Sequence, residues 1–131
     1  MSNRRKKSRD PPMRFVWFFG YHTFDVVKAR EIAALKPICL LTTVNIEPLL
    51  ADGAPDLDLV RLADVRACGI LARVPFGDGR ERYVLIDGFE VAKRCLDRGR
   101  PFRLRCLSYS ESKACRIESD SSGEWPEPEP I

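Results

Sequence analysis

The chain has 131 residues, 44% of them hydrophobic and 31% charged, and a formal net charge of +3. That length suits one domain with a hydrophobic core of its own. No apolar run approaches the roughly 20 residues of a membrane span, and five cysteines without a CxxC pair beside a single histidine exclude a zinc cluster.

Charge is partitioned along the chain. Residues 1–12 hold Arg4, Arg5, Lys6, Lys7 and Arg9 against Asp10, whereas residues 118–131 hold Glu118, Asp120, Glu124, Glu127 and Glu129 and no base. Both ends are poor in aliphatic side chains, so 1–12 reads as a disordered basic arm and 118–131 as a disordered, acidic, proline-rich tail. Within the tail, Trp125 reads as a stray aromatic or a partner anchor. The domain is expected over 13–117. The basic start is not followed by an apolar stretch, which reads as no secretory signal, so a cytoplasmic protein with reduced thiols is expected.

After Pro11-Pro12, the aromatic run Arg14 to Phe19 reads as a core strand ending at Gly20. Thr23 then caps a helix from Phe24 to Leu35, with Val26, Ala29 and Ala33 on its buried face and Lys36-Pro37 as its stop. The β-branched stretch Ile38 to Ile46 reads as a buried strand closed by Glu47-Pro48. Residues 52–55 read as a loop, and Asp56 as the N-cap of a short helix carrying Leu57, Val60 and Leu62.

Ile70 to Phe76 and Tyr83 to Ile86 form a hairpin around Gly77-Asp78-Gly79. Asp87-Gly88 leads into a helix from Phe89 to Arg98 that buries Phe89, Ala92, Cys95 and Leu96, turns Glu90, Lys93, Arg94 and Asp97 to water, and stops at Gly99. Phe102, Leu104 and Cys106 alternate with Arg103 and Arg105 in a half-buried strand. Ser110 caps a last helix ending near Ile117. The expected fold is α+β, a small mixed sheet with three to four helices.

The segment YVLIDGFEVAKRCLDRGRPFRLRCLS, residues 83–108, resembles the strand, Asp-Gly, helix, small-residue stop and strand of ParB-like and sulfiredoxin-like domains. It covers about a fifth of the chain. The resemblance implies the ParB/sulfiredoxin-like fold. On the ParB side it implies a nucleoside triphosphate and DNA as partners; on the sulfiredoxin side, an ATP-dependent reduction of oxidised cysteine. ParB proteins read Gly-Glu-Arg-Arg where this chain reads Gly88-Phe89-Glu90-Val91, so an acid and two phosphate-binding arginines are missing. Sulfiredoxins read Gly-Cys-His-Arg there, so Phe89 replaces the catalytic cysteine. Free-serine kinases of the same fold match only through Asp87 and Gly88.

A helix N-terminus offers unpaired amides to an anion, and a glycine lets it approach the backbone. The candidate nucleotide or anion site is therefore Asp87, Gly88 and Lys93, set against a purely structural use of Asp87 as a cap and Gly88 as a corner. Eight bases against four acids over residues 80–105 make Arg80, Arg82, Arg103 and Arg105 the candidate nucleic-acid contacts, set against a solvated basic face. His22 reads as a surface loop residue or a general base, and Cys95 and Cys106 as core fillers.

These features lead to a degenerate ParB-like domain that binds nucleic acid or a nucleotide without catalysis. The alternatives are a nucleotide-dependent phosphotransferase or hydrolase using Asp87 or Glu90 with magnesium, and an interaction module, adaptor or inhibitor, for an acidic protein partner. DNA or RNA is the expected macromolecular partner and a nucleoside triphosphate with magnesium the candidate cofactor. No metal site and no membrane partner are expected.

Overall fold

The computed structural model describes residues 12–17, 20–51, 55–75, 80–117 and Trp125, with the backbone alone for 13–17, 20 and 21. Residues 1–11 of the predicted basic arm, residues 52–54 of the predicted loop, Phe76 with the predicted turn Gly77-Asp78-Gly79, and the rest of the acidic tail lie outside the described residues, as do Phe18 and Phe19. Among the described residues there are five helices and two sheets, more helices and one more sheet than the sequence predicts.

The first sheet is antiparallel: β1 (Met13–Trp17) pairs with β2 (Gly20–Phe24), and β2 with the short β7 (Arg116–Ile117). Gly20 therefore opens a second strand instead of ending the first. Thr23 lies in β2, and the helix predicted from Phe24 starts two residues later: α1 (Val26–Ala33) is capped by Asp25, whose carboxylate accepts from the Lys28 amide at 3.1 Å. Asp25 outcompetes Thr23 as a cap because the strand pairing already holds Thr23 extended. Val26, Ala29 and Ala33 are the buried face of α1, as their spacing predicts.

The predicted strand over 38–46 divides in two. Only β3 (Cys39–Leu41) is extended, at a largely exposed edge, and Thr43–Leu50 is a helix, α2, with Pro48 inside it. The helix wins because Ile46, Leu49 and Leu50 stand at helical spacing and pack as one face against a core cluster. The short helix α3 (Leu57–Val60) is capped by Asp56 as predicted, but of its predicted apolar face only Val60 is buried.

The second sheet has the order β3-β6-β4-β5, where β4 is Cys68–Pro75, β5 is Glu81–Asp87 and β6 is Phe102–Cys106. β4 and β5 are the antiparallel hairpin the sequence predicts. The helix α4 (Phe89–Arg98) then carries the chain across β4, so that β6 lies parallel to β4 on its other side. Gly99 ends α4 in the left-handed conformation, φ 66°. The last helix, α5 (Tyr109–Ala114), is capped by Ser108 and not Ser110. Ser108 and Glu111 form a reciprocal capping box, which satisfies two orphan amides at once.

Strand alternation divides the core into two clusters. Ile70, Ala72, Val74, Val84, Ile86 and Leu107 pack with Phe24, Ala29, Ala33, Tyr109 and Trp125, whereas Leu71, Leu85, Phe102 and Leu104 pack with Ile46, Ala92 and Cys95. Each fully buried large side chain contributes roughly 1.5–3 kcal/mol. Trp125, read from the sequence as a tail residue, belongs to the first cluster at 7% exposure.

Candidate functional site

The corner between β5 and α4 holds the predicted anion-binding residues. Gly88 is the N-cap of α4 at φ 96°, a left-handed conformation that favours glycine, and it makes no side-chain cap. A Cβ on Gly88 would lie 2.8 Å from the Cα of Gly69 at the start of β4, and one on Gly69 would overlap the Phe102 ring and sit 2.8 Å from the Asp87 carbonyl. The two glycines thus let two backbone segments touch. No side chain fits between them.

Asp87 does not cap α4. Its carboxylate accepts two hydrogen bonds from Arg30 of α1, from Nε at 2.7 Å and from Nη2 at 2.9 Å, a bidentate pair that ties α1 to the end of β5. Glu90, predicted to face water, accepts from the Asp56 amide at 3.0 Å and holds the segment before α3 against the first turn of α4. Lys93 donates to Asp97 at 2.8 Å, one turn towards the C-terminal end of the helix. Asp87, Gly88 and Lys93 are close in sequence but are drawn to different partners.

The predicted arginine patch is also separated. Arg82 lies opposite Val74 and Arg103 opposite Cys68, so Arg80 and Arg82 sit at the far end of the sheet from Arg103, about 20 Å along β4. Arg105 is turned inward, its Nη1 donating to the carbonyls of Ala33, Ala34 and Lys36 at 3.0, 2.9 and 3.2 Å. It caps the C-terminal end of α1, where a cation offsets the negative end of the helix dipole.

A different set of bases gathers around residues 60–66. Arg94, predicted to face water, donates to the carbonyls of Val60 (3.1 Å) and Arg61, and the Cys95 thiol contacts the Val65 carbonyl at 3.6 Å, so this loop lies along the second half of α4. Arg98 follows Arg94 by one turn, Arg100 bonds back to the Cys95 carbonyl through its amide, and hydrogen bonds from Arg66, with a smaller contribution from the charge of Arg103, hold the Asp64 carboxyl below its usual range. Arg61, Arg66, Arg98, Arg100 and Arg103 are all exposed. Arg66 pairs with Asp64, while Arg61, Arg98, Arg100 and Arg103 form no side-chain ion pair among the described residues. Of these residues only Arg103 is among the nucleic-acid contacts predicted from sequence, because the loop and the helix are 30 residues apart in the chain.

His22 is neither in a surface loop nor placed to act as a base. It is fully buried in β2, and burial together with the Arg116 guanidinium pushes its pKa down to about 4. No family model, curated protein or solved structure matches the chain. The chemistry must therefore be read from the side chains themselves.

Cys95 and Cys115 are buried and Cys106 half-buried; burial raises all three thiols, Cys115 to about 11, which keeps them protonated and unreactive at neutral pH. No three His, Cys, Asp or Glu side chains converge to hold a metal among the described residues. No described helix is long and apolar enough to cross a membrane. One pocket of about 330 Å³ lies between α1 and the second sheet, lined by Arg30, Ala33, Ala34, Cys68, Gly69, Ile70, Asp87 and Arg105.

Proposed function

We propose that the chain is a non-catalytic, ParB-like domain that binds nucleic acid along the arginine edge formed by the loop after α3, the end of α4 and the start of β6. The observation that carries this reading is that Arg61, Arg98, Arg100 and Arg103 are exposed and form no ion pair among the described residues, while Arg94 ties the loop that holds Arg61 to the helix that holds Arg98. Uncommitted guanidinium groups suit a phosphate backbone, which they bind with release of counterions. The ParB-like part of the reading is supported by the run of hairpin, Asp87-Gly88, helix, Gly99 and strand. The nucleotide-dependent enzyme is less favoured, since Asp87 is engaged by Arg30 and Glu90 by the Asp56 amide.

Fluorescence anisotropy with labelled single-stranded and duplex DNA and RNA tests the proposal. Affinity should fall steeply as salt rises; absent or salt-independent binding to all of them would overturn it. A second reading, an adaptor for an acidic protein, is favoured by Leu57, Leu59 and Leu62, which are 68%, 51% and 81% exposed beside Arg61. Replacing Leu62 with Ser would weaken such a complex and leave nucleic-acid affinity unchanged.

A further inference from the structure

We propose that the pocket between α1 and the second sheet binds a small, singly charged oxyanion, a carboxylate or a phosphate, on the side of the Arg105 guanidinium that the fold leaves unused. This site is separate from the arginine edge and does not depend on nucleic-acid binding there.

The charges lining the pocket are Arg30, Asp87 and Arg105. Arg30 and Asp87 neutralise each other through the Nε and Nη2 bonds, so Arg105 supplies the net positive charge. All three hydrogen bonds of Arg105 leave from Nη1, towards the carbonyls at the end of α1. Those carbonyls would otherwise repel an anion; here they instead fix the plane of the guanidinium. The Nε and Nη2 donors of Arg105 have no hydrogen-bond partner among the described residues. They are the parallel pair that meets a carboxylate or phosphate in bidentate fashion, the same edge that Arg30 uses on Asp87. Half-buried and orientationally fixed, Arg105 would bind such a group with little further loss of side-chain freedom.

The test is a titration of the full chain with sodium acetate and, separately, inorganic phosphate, against sodium chloride at equal ionic strength, followed by ¹H–¹⁵N correlation spectra that include arginine Nε–H signals. Saturable shifts confined to Cys68, Gly69, Ala34 and Arg105 Nε–H are expected with acetate, phosphate or both, and whichever saturates names the anion. Arg105→Gln should weaken binding roughly tenfold or more. Because that change also uncaps α1, Ala34→Phe serves as a second variant: it fills the pocket from an exposed position, leaves Arg105 in place and should weaken binding as much. Arg103→Gln should have no effect. Shifts that match those with chloride, or that centre on Arg98 and Arg103 while the pocket signals stay still, would overturn the proposal.

Discussion

Trp125 stands edge-on to His22, with ring centroids 4.9 Å apart, and closes over the first core cluster together with Phe24 and Tyr109. The Arg116 guanidinium lies 5.7 Å from the indole centroid. A neutral imidazole suits this setting, since a charged one would lose its hydration and face a neighbouring cation.

Stability should therefore decline in acid earlier than carboxylate titration alone explains. The folded chain protonates His22 only near pH 4, whereas the unfolded chain does so near 6.5. Above 6.5 neither state binds the proton and His22 contributes no pH dependence. Between 6.5 and 4 the unfolded state alone binds it, so stability falls by roughly 3 kcal/mol across that window. Urea midpoints between pH 7.5 and 5 should fall in the wild type and stay flatter in His22→Phe. Parallel curves would show that another group is responsible.

Trp125→Ala should destabilise the domain by about 3 kcal/mol or more, the cost of removing a large buried aromatic. Truncation before residue 118 should do at least as much. Denaturant unfolding measures both; an unchanged midpoint on truncation would mean that the indole adds nothing to the core.

The two left-handed glycines should respond differently to alanine. At Gly99, with φ 66° and no atom within 4 Å of an added Cβ, the cost should be about 1–2 kcal/mol of backbone strain. At Gly88 the same strain is joined by the clash with Gly69, and the loss should be clearly larger. Comparable losses in thermal or urea unfolding would contradict the close approach of the two backbones.

On the arginine edge, Arg98→Gln and Arg103→Gln should each weaken nucleic-acid binding about equally for different sequences. Each should also reduce the slope of log affinity against log salt by about 1. Arg82→Gln, at the other end of the sheet, should leave both quantities near the wild-type values.

Legibility differed between the two halves of the molecule. From Ile70 to Cys106 the apolar runs of β4 and β5, the alternation of β6, the spacing in α4 and the stop at Gly99 gave sequence signals that agree with packing, and those elements stand within two residues of where they are read. Earlier in the chain, local preference and packing disagree. Thr42, Thr43, Val44 and Ile46 are β-branched, yet Ile46, Leu49 and Leu50 need a helix to bury one face together. The capping box at Ser108 and Glu111 was present in the sequence as Ser-x-x-Glu and was a better start signal than Ser110. Arg105 occupies the polar phase of its strand, but α1 covers that face of the sheet, and a period of two cannot show whether a face is covered. Trp125 had no local signal at all; only the cluster under it makes it a core residue.

The strand order β3-β6-β4-β5 also sets a timetable. β4 and β5 are consecutive antiparallel strands that can zip together unaided, but β6 reaches β4 only after α4 has crossed over it. β3 precedes all of them in the chain, yet its neighbour in the sheet is β6, so its amides should be the last of the four strands to gain protection in pulsed hydrogen exchange during refolding. Early protection of β3 would mean that the sheet assembles by another route.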